Sequence, residues 1–368
     1  MINLFEPALA ADELTAIARV FHSNWPGKGP KVAEFEQAWA AHINAESENV
    51  VSVNSCTEGL FQAVQLLGIG PGDEVIIPTI HFVGVAQAVL SVGARPVFCD
   101  VDSRTLNIKA QFIWDKVTSR TAAIIINHYG GVPCDMFEIV RYGHIKLIED
   151  AACAPASTFG SQAIGTFGDI GVWSFDAMKI ISTGDGGMMY IRDRELADNA
   201  RKQLYLGTSE GSGLRSDKAR WWEFEVEIAG ARRSVMNDLA AGIGLEQLKK
   251  LDGFVERRKE IWYYYEENLK WERTELLPPL MIPIRKNKCS FYFYWIQTPR
   301  RDELARYLKE NGVYTTFRYY PLHWAFKTGD HLPNAEKAAR ETLLLPLHCG
   351  LSDEDVSYIC EKVREFYG

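Results

Sequence analysis

Lys179 stands in SFDAMKIISTGDGG, between apolar neighbours Met178, Ile180 and Ile181 and a glycine-rich loop. Removal from water lowers an amine's pKa and makes it a nucleophile towards carbonyl carbon. The same pattern also describes a surface lysine that snorkels from a strand end. Asp150 closes the strand-like run KLIED. A carboxylate there can pair with a protonated pyridine nitrogen and make the ring an electron sink, or cap a following helix. Glu149 faces the opposite way by strand alternation and reads as structural. NSCTEGL (54–60) sets small polar residues before a helix. Its first backbone N–H groups, with the Thr57 hydroxyl, make a phosphate site, or Ser55 or Thr57 is a plain cap. Ser174 is a second phosphate contact or an ordinary strand serine. Phe82 stacks on a flat ring or belongs to the core. His128 is a ligand contact or a satisfied polar residue.

The elements that must position these groups alternate through the first two thirds of the chain. The pattern predicts helices over 57–67, 82–93, 109–117 and 135–142, with strands over 74–79, 95–102, 122–129 and 145–152. Continuous β-branched runs such as AAIIINHY are those of buried parallel strands. The expectation is an α/β fold with a mainly parallel sheet between helices. Asn54-Ser55, Thr79, Asn127-His128 and Glu149-Asp150 all fall at strand carboxyl ends, where open α/β sheets bind ligands. Beyond Gly168, two short strands flank a glycine-rich loop, a helix starts at Glu195, and 207–220 reads as a polar loop. A long helix over 237–270 leads to a smaller α+β part ending in a helix at 352–366. The boundary is placed at 245, giving a large domain (1–245) and a small one (246–368).

The balance of 40 basic and 48 acidic residues, net −8, argues against a nucleic-acid-coating surface. No run approaches a membrane span, and the opening MINLFEPALAADELTAI predicts no secretory leader. The seven cysteines are scattered without a CxxC pair, which predicts free thiols in a reducing cytoplasm and no zinc or other metal. No HExxH, GxSxG or GxxxxGK[ST] motif occurs, and GIGPGD follows a helix instead of a strand, so it is discounted as a dinucleotide fingerprint.

Nine blocks in order resemble the sugar aminotransferases of the DegT/DnrJ/EryC1/StrS family: GKGPKVAEFE, NSCTEGL, PGDEVIIPTIHFVGVAQAV, PVFCDVDSRTLNI, NHYGGVPCDM, IEDAACA, GDIGVWSFDAMKIISTGDGGM, NDLAAGIGLEQL and FRYYPLH. The resemblance implies a fold-type-I enzyme, with a seven-stranded sheet, that uses pyridoxal 5′-phosphate and its aminated form, pyridoxamine 5′-phosphate. By match to the family pattern, Lys179 holds the cofactor as a Schiff base and moves the proton, and Asp150 meets its pyridine nitrogen. Thr57, Glu58 (mainly through backbone amides) and Ser174 cradle the phosphate, and Phe82 stacks on the ring. Cys153 occupies the place where the family commonly has Gln or His against the phenolic oxygen. Arg233 replaces an Asn that reaches the partner subunit's phosphate. A homodimer with shared sites is implied.

The resemblance further implies L-glutamate as donor and a nucleotide-linked keto-sugar as acceptor. FRYYPLH resembles members that aminate C4 of 4-keto-6-deoxyhexoses, so the expected substrate is a dTDP-4-keto-6-deoxyhexose. Tyr319 and His323 are candidate sugar or nucleotide contacts, Arg318 a contact for a phosphate or the donor carboxylate, and Trp25, Trp221 and Trp222 candidate pocket walls. The competing expectations are amination at C3 and a non-catalytic regulator binding the cofactor or a nucleotide sugar. A 3-dehydratase is opposed by Lys179, since histidine replaces the lysine there.

Overall fold

In a computed structural model the structure describes residues 1–140, 145–208, 222–269, 276–278 and 287–368. In chain order the strands are β1 (Val50–Val53), β2 (Glu74–Pro78), β3 (Arg95–Cys99), β4 (Thr121–Asn127), β5 (Lys146–Asp150), β6 (Thr158–Phe159), β7 (Gln162–Ala163), β8 (Ile170–Ser174), β9 (Gly187–Ile191), β10 (Tyr294–Gln297) and β11 (Thr342–Leu345). The helices are α1 (Ala11–His22), α2 (Pro30–Ile43), α3 (Cys56–Leu66), α4 (Val83–Ser91), α5 (Ala110–Trp114), α6 (Met136–Val140), α7 (Arg194–Gln203), α8 (Asp238–Asn268), α9 (Arg301–Glu310), α10 (Leu322–Ala325), α11 (Pro333–Glu341) and α12 (Asp353–Tyr367).

Seven strands form one sheet in the order β1-β9-β8-β5-β4-β2-β3. The pairs β3/β2, β2/β4, β4/β5 and β5/β8 are parallel, and β9 alone runs against its neighbours β8 and β1. This is the expected mainly parallel α/β sheet. β4 carries Ile124, Ile125 and Ile126, all within 3% of full burial, and each such side chain contributes about 1.5–3 kcal/mol. The register sets Asn127 beside Asp150 and Asp150 beside Val172. The carboxyl ends of β1, β2, β4, β5 and β8 thus share one sheet edge.

α8 is one continuous 31-residue helix, and its cap Asn237 accepts the Ala240 amide. Its first part packs on α1 and α2 and it also meets α12. Glu13 of α1 ties it down, 2.8 Å from both Lys250 Nζ and Gln247 Nε2. β10 and β11 pair antiparallel. Strand β1, helices α1 and α2 and the β6–β7 hairpin are elements that the periodicity reading passed over. From residue 209 to 220 the polar loop expectation falls outside the described residues, as does Trp221.

Candidate active site

The shared sheet edge opens into a cleft of about 800 Å³, counted to its mouth. Lys179, Asp150, Thr57, Phe82, Cys153, Ser174, Arg318 and Tyr319 all line it, joined by His81, Asn127, Asp176 and Asp185. Residues scattered from position 55 to position 319 therefore meet in one place.

Lys179 lies in the turn after β8, where its own N–H bonds the Asp176 carbonyl at 2.9 Å. Its Nζ stands 4.9 Å from the centre of the Tyr292 ring and 4.0 Å from Cys153 Sγ. Burial works against the charge on this amine. Cys153, Tyr292, Tyr319 and Asp150 nonetheless hold its pKa well above that of an ordinary lysine. This corrects the expectation of a depressed amine: flanking apolar residues suggest desolvation, but the neighbours brought by folding favour the cation. Burial pushes the Cys153 thiol up to about 11, with Lys179 pulling it down, so it is a neutral thiol near pH 7.

Asp150 is held at the end of β5 by the Ala152 amide, which donates to Oδ1 at 2.9 Å. Its Oδ2 faces His81 Nε2 at 3.6 Å. Glu149 turns away, as strand alternation requires. Its carboxylate accepts the amides of Gly165 (2.9 Å), Phe167 (2.6 Å) and Gly168 (2.6 Å). His128 borders the cleft, but its ring faces Glu149 at 3.3 Å and the Cys134 amide at 3.1 Å. It is the satisfied polar residue of the two alternatives.

At the other end of the cleft, α3 begins with Ser55 as cap, its Oγ accepting the Glu58 amide at 3.1 Å. Thr57 and Ser174 face the cleft beside this helix start. Glu58 does not line it. Its side chain runs outward to Gln62 at 2.8 Å and Arg232 at 3.0 Å, and its amide already has Ser55. Phe82 is 42% exposed, with its ring 6.1 Å from that of Tyr319. Arg318 Nη2 contacts Met178 Sδ at 3.2 Å and its guanidinium covers Phe5 at 5.1 Å. Burial raises the Tyr319 phenol, so it keeps its proton.

Four expected contacts lie elsewhere. His323 is 1% exposed and outside the cleft lining. Its Nδ1 is 2.7 Å from Thr79 Oγ1, which also accepts the His323 amide at 3.1 Å, so the ring anchors α10 to the end of β2. Arg233 is exposed and covers the Tyr205 ring at 5.4 Å. Trp25 is 58% exposed and donates to the Lys28 carbonyl at 2.9 Å. Trp222 is likewise 60% exposed. Sequence reading missed His81 and Tyr292. The only signal for His81 was its place beside Phe82 at a strand end, and Tyr292 comes from a part of the chain with no polar motif.

The donor set fits pyridoxal phosphate. A helix start with Thr57 and Ser174 suits an anion, a primary amine suits an aldehyde, and a carboxylate suits a ring nitrogen. Two buried polar atoms bordering the cleft, His81 Nε2 and Asn127 Oδ1, lack a hydrogen-bond partner, as expected where a polar group docks. All seven cysteines are free, and among the described residues there is no metal-holding cluster and no helix long and apolar enough to cross a membrane.

Comparison with known proteins agrees with this geometry. The DegT/DnrJ/EryC1/StrS aminotransferase family matches residues 7–364. The chain is 46% identical to the dTDP-4-dehydro-2,3,6-trideoxy-D-glucose 4-aminotransferase of Saccharopolyspora spinosa, over 99% of this chain and 96% of that protein. Among solved structures it is similar to the aminotransferase TlmJ of Streptoalloteichus hindustanus, at 50% identity and a TM-score of 0.94, covering 99% and 98% of the two chains. It also resembles the putative sugar aminotransferase Spr1654 of Streptococcus pneumoniae, 26% identical in its PLP form with a TM-score of 0.90, over 100% and 98% of the chains. The chain belongs to the DegT/DnrJ/EryC1/StrS aminotransferase family and is a pyridoxal-phosphate-dependent sugar aminotransferase.

Proposed function

We propose that this enzyme moves an amino group from L-glutamate to C4 of a dTDP-linked 4-keto-6-deoxyhexose in deoxyamino-sugar biosynthesis. The reading also has it working as a cytoplasmic homodimer, with a large domain to about residue 245 and a small one beyond. The observation that carries it is the meeting of an amine (Lys179), a carboxylate (Asp150) and a helix start (α3) in one cleft. The 46% identical relative named for C4 amination supports the regiochemistry.

When bound, pyridoxal phosphate supplies a ring that withdraws the electron pair left when a proton departs from carbon. The protein's own residues do the rest. Lys179 Nζ would hold the cofactor at its aldehyde carbon with loss of water, and as the free amine would carry the proton between the donor's α-carbon and the cofactor. Of the groups around Nζ, Asp150 is the one that carries charge near neutral pH, and it favours the ammonium form against burial. Asp150 holds the ring nitrogen, Thr57, Ser174 and the first amides of α3 hold the phosphate, and Phe82 covers the ring. The Tyr319 phenol donates a hydrogen bond to the sugar, and Arg318 takes the donor carboxylate or a nucleotide phosphate. Glutamate leaves as 2-oxoglutarate and the ketone becomes an amine, so the exchange balances without an outside oxidant.

The exposed Trp25, Trp222, Phe224 and Val226, each 58–63% accessible, support a second subunit closing over the site, with Arg233 reaching that subunit's phosphate. The test is an assay with glutamate and a panel of nucleotide-linked keto-sugars, products identified by mass and NMR. Borohydride should fix the cofactor on the Lys179 peptide. A 3-amino product would move the assignment to C3, and labelling of a different lysine would overturn it.

A further inference from the structure

His81 lies between β2 and α4, one residue before Phe82, and is 1% exposed. Its Nε2 has no hydrogen-bond partner and stands 3.6 Å from Asp150 Oδ2. Its Nδ1 is 3.4 Å from the Phe82 carbonyl. An unmatched polar nitrogen inside a protein is costly, so a buried histidine in this position calls for a partner. The charged groups facing the ring are Asp150 and Lys179. Burial lowers the imidazole's pKa despite the opposing pull of Asp150, so near neutral pH the ring carries a single N–H. If that hydrogen sat on Nδ1, the bare Nε2 lone pair would confront a carboxylate oxygen. Placed on Nε2, it points at Asp150 Oδ2; Nδ1 then gives up the long 3.4 Å contact with the neutral Phe82 carbonyl, and the charged acceptor outweighs the neutral one in selecting this tautomer. The gap is a few tenths of an ångström past hydrogen-bond range. The terminal torsions of both side chains are soft, so a small rotation closes it.

We infer that His81 is a positioning residue for Asp150: its Nε2–H holds Oδ2 while the Ala152 amide holds Oδ1, fixing the plane of the carboxylate. A carboxylate has about four acceptor sites, so two remain in that plane for the cofactor's ring nitrogen. Without His81, the Ala152 amide is the only hydrogen-bond donor to the Asp150 carboxylate among the described residues, and the carboxylate turns about its own bond. The inference rests on the assignment of Asp150 to that nitrogen.

The experiment compares His81→Phe, which keeps an aromatic filler, with His81→Gln, which keeps an N–H donor, and runs Asp150→Asn beside them. Pyridoxal phosphate alone is the probe. Its affinity is read by equilibrium dialysis, and the visible absorbance of the bound form is titrated with pH. His81→Phe is expected to lose on the order of tenfold in affinity, the value of a hydrogen bond to a charged group, and to shift the absorbance midpoint. His81→Gln is expected to recover most of both. Wild-type affinity and titration in His81→Phe overturn the inference, as does a His81→Gln no better than His81→Phe. Should His81→Phe not fold, His81→Leu takes its place. Impairment of Asp150→Asn with His81→Phe unaffected overturns only the role of His81. A wild-type-like Asp150→Asn overturns the assignment of Asp150 itself.

Discussion

Replacing Glu149 by alanine removes one carboxylate from the acceptor side of three backbone amides, those of Gly165 and Gly168, which are buried, and of Phe167, which is partly buried. Each amide left without a partner costs about 1–3 kcal/mol, so at least ~3 kcal/mol is expected at the lower bound. Glutamine is the informative comparison. Oε1 serves Phe167 and Gly168, while Oε2 serves Gly165 and faces His128 Nε2. A glutamine oxygen in the Oε1 position keeps two amides, but its NH2 then opposes the third. His128 cannot relieve this, because its Nδ1 already accepts the Cys134 amide at 3.1 Å, which leaves the hydrogen on Nε2. Glu149→Gln therefore loses one amide where alanine loses three. At ~2.1 cal/mol/K per residue, the 368-residue chain has an unfolding entropy of about 0.8 kcal/mol/K. The alanine variant is thus expected to melt about 4 °C or more below wild type, with glutamine between. The assay is a thermal melt at fixed, saturating pyridoxal phosphate, since ligand binding itself raises the midpoint. Alanine melting within ~1 °C of wild type, or glutamine melting as low as alanine, refutes the reasoning.

The same junction can be probed from its other side. A Cβ on Gly171 of β8 would sit 1.8 Å from the Gly165 carbonyl oxygen, a backbone atom that no side-chain motion can move aside, so Gly171→Ala is expected to cost at least as much as Glu149→Ala. Soluble yield and the melting midpoint measure this, and a normal melt contradicts it. Acid sensitivity should trace to two carboxylates. Glu13 is held at about 2, with burial opposed by Lys250, Gln247 and the Ala10 amide, and Glu74 at about 2 by Arg95, Thr118 and Arg120. Both sit below the ordinary 4.5, so their contribution is complete above that pH and is lost as pH falls towards 2. The melting midpoint should drop through this window, and Glu13→Gln with Glu74→Gln should flatten the drop; an unchanged slope counts against both assignments.

The sheet was legible because buried parallel strands are written as unbroken β-branched runs, and AAIIIN in β4 is the clearest of them. Lys179, Asp150, Thr57 and Ser174 were legible because each ends or follows such a strand, and strand ends on one sheet edge converge. What escaped was set by partners distant in sequence. Nothing near His323 announces that Thr79 takes both its Nδ1 and its amide, so a histidine in FRYYPLH reads as a ligand until folding buries it. Nothing near Glu58 announces Arg232. The Lys179 amine was misread for a related reason: its sequence neighbours are apolar, whereas its spatial neighbours are Tyr292, Tyr319, Cys153 and Asp150. Residue type locates a reactive group well. Its protonation depends on side chains that only the tertiary fold supplies.

Strand β5 shows how chemistry and support are kept apart. Two adjacent acids leave it on opposite faces. Glu149 gathers three amides and braces the turn after β7 against the sheet. Asp150 faces the cleft with one oxygen fixed by the Ala152 amide and the other turned to His81. The brace holds the backbone from which Asp150 projects, so losing it softens the site without removing any group that touches a ligand. Alternation by a single residue is enough to give neighbouring carboxylates unrelated duties. Side-chain substitutions at the two positions should therefore separate stability from cofactor binding, whereas a backbone clash at Gly171, which pushes on the braced turn itself, should damage both.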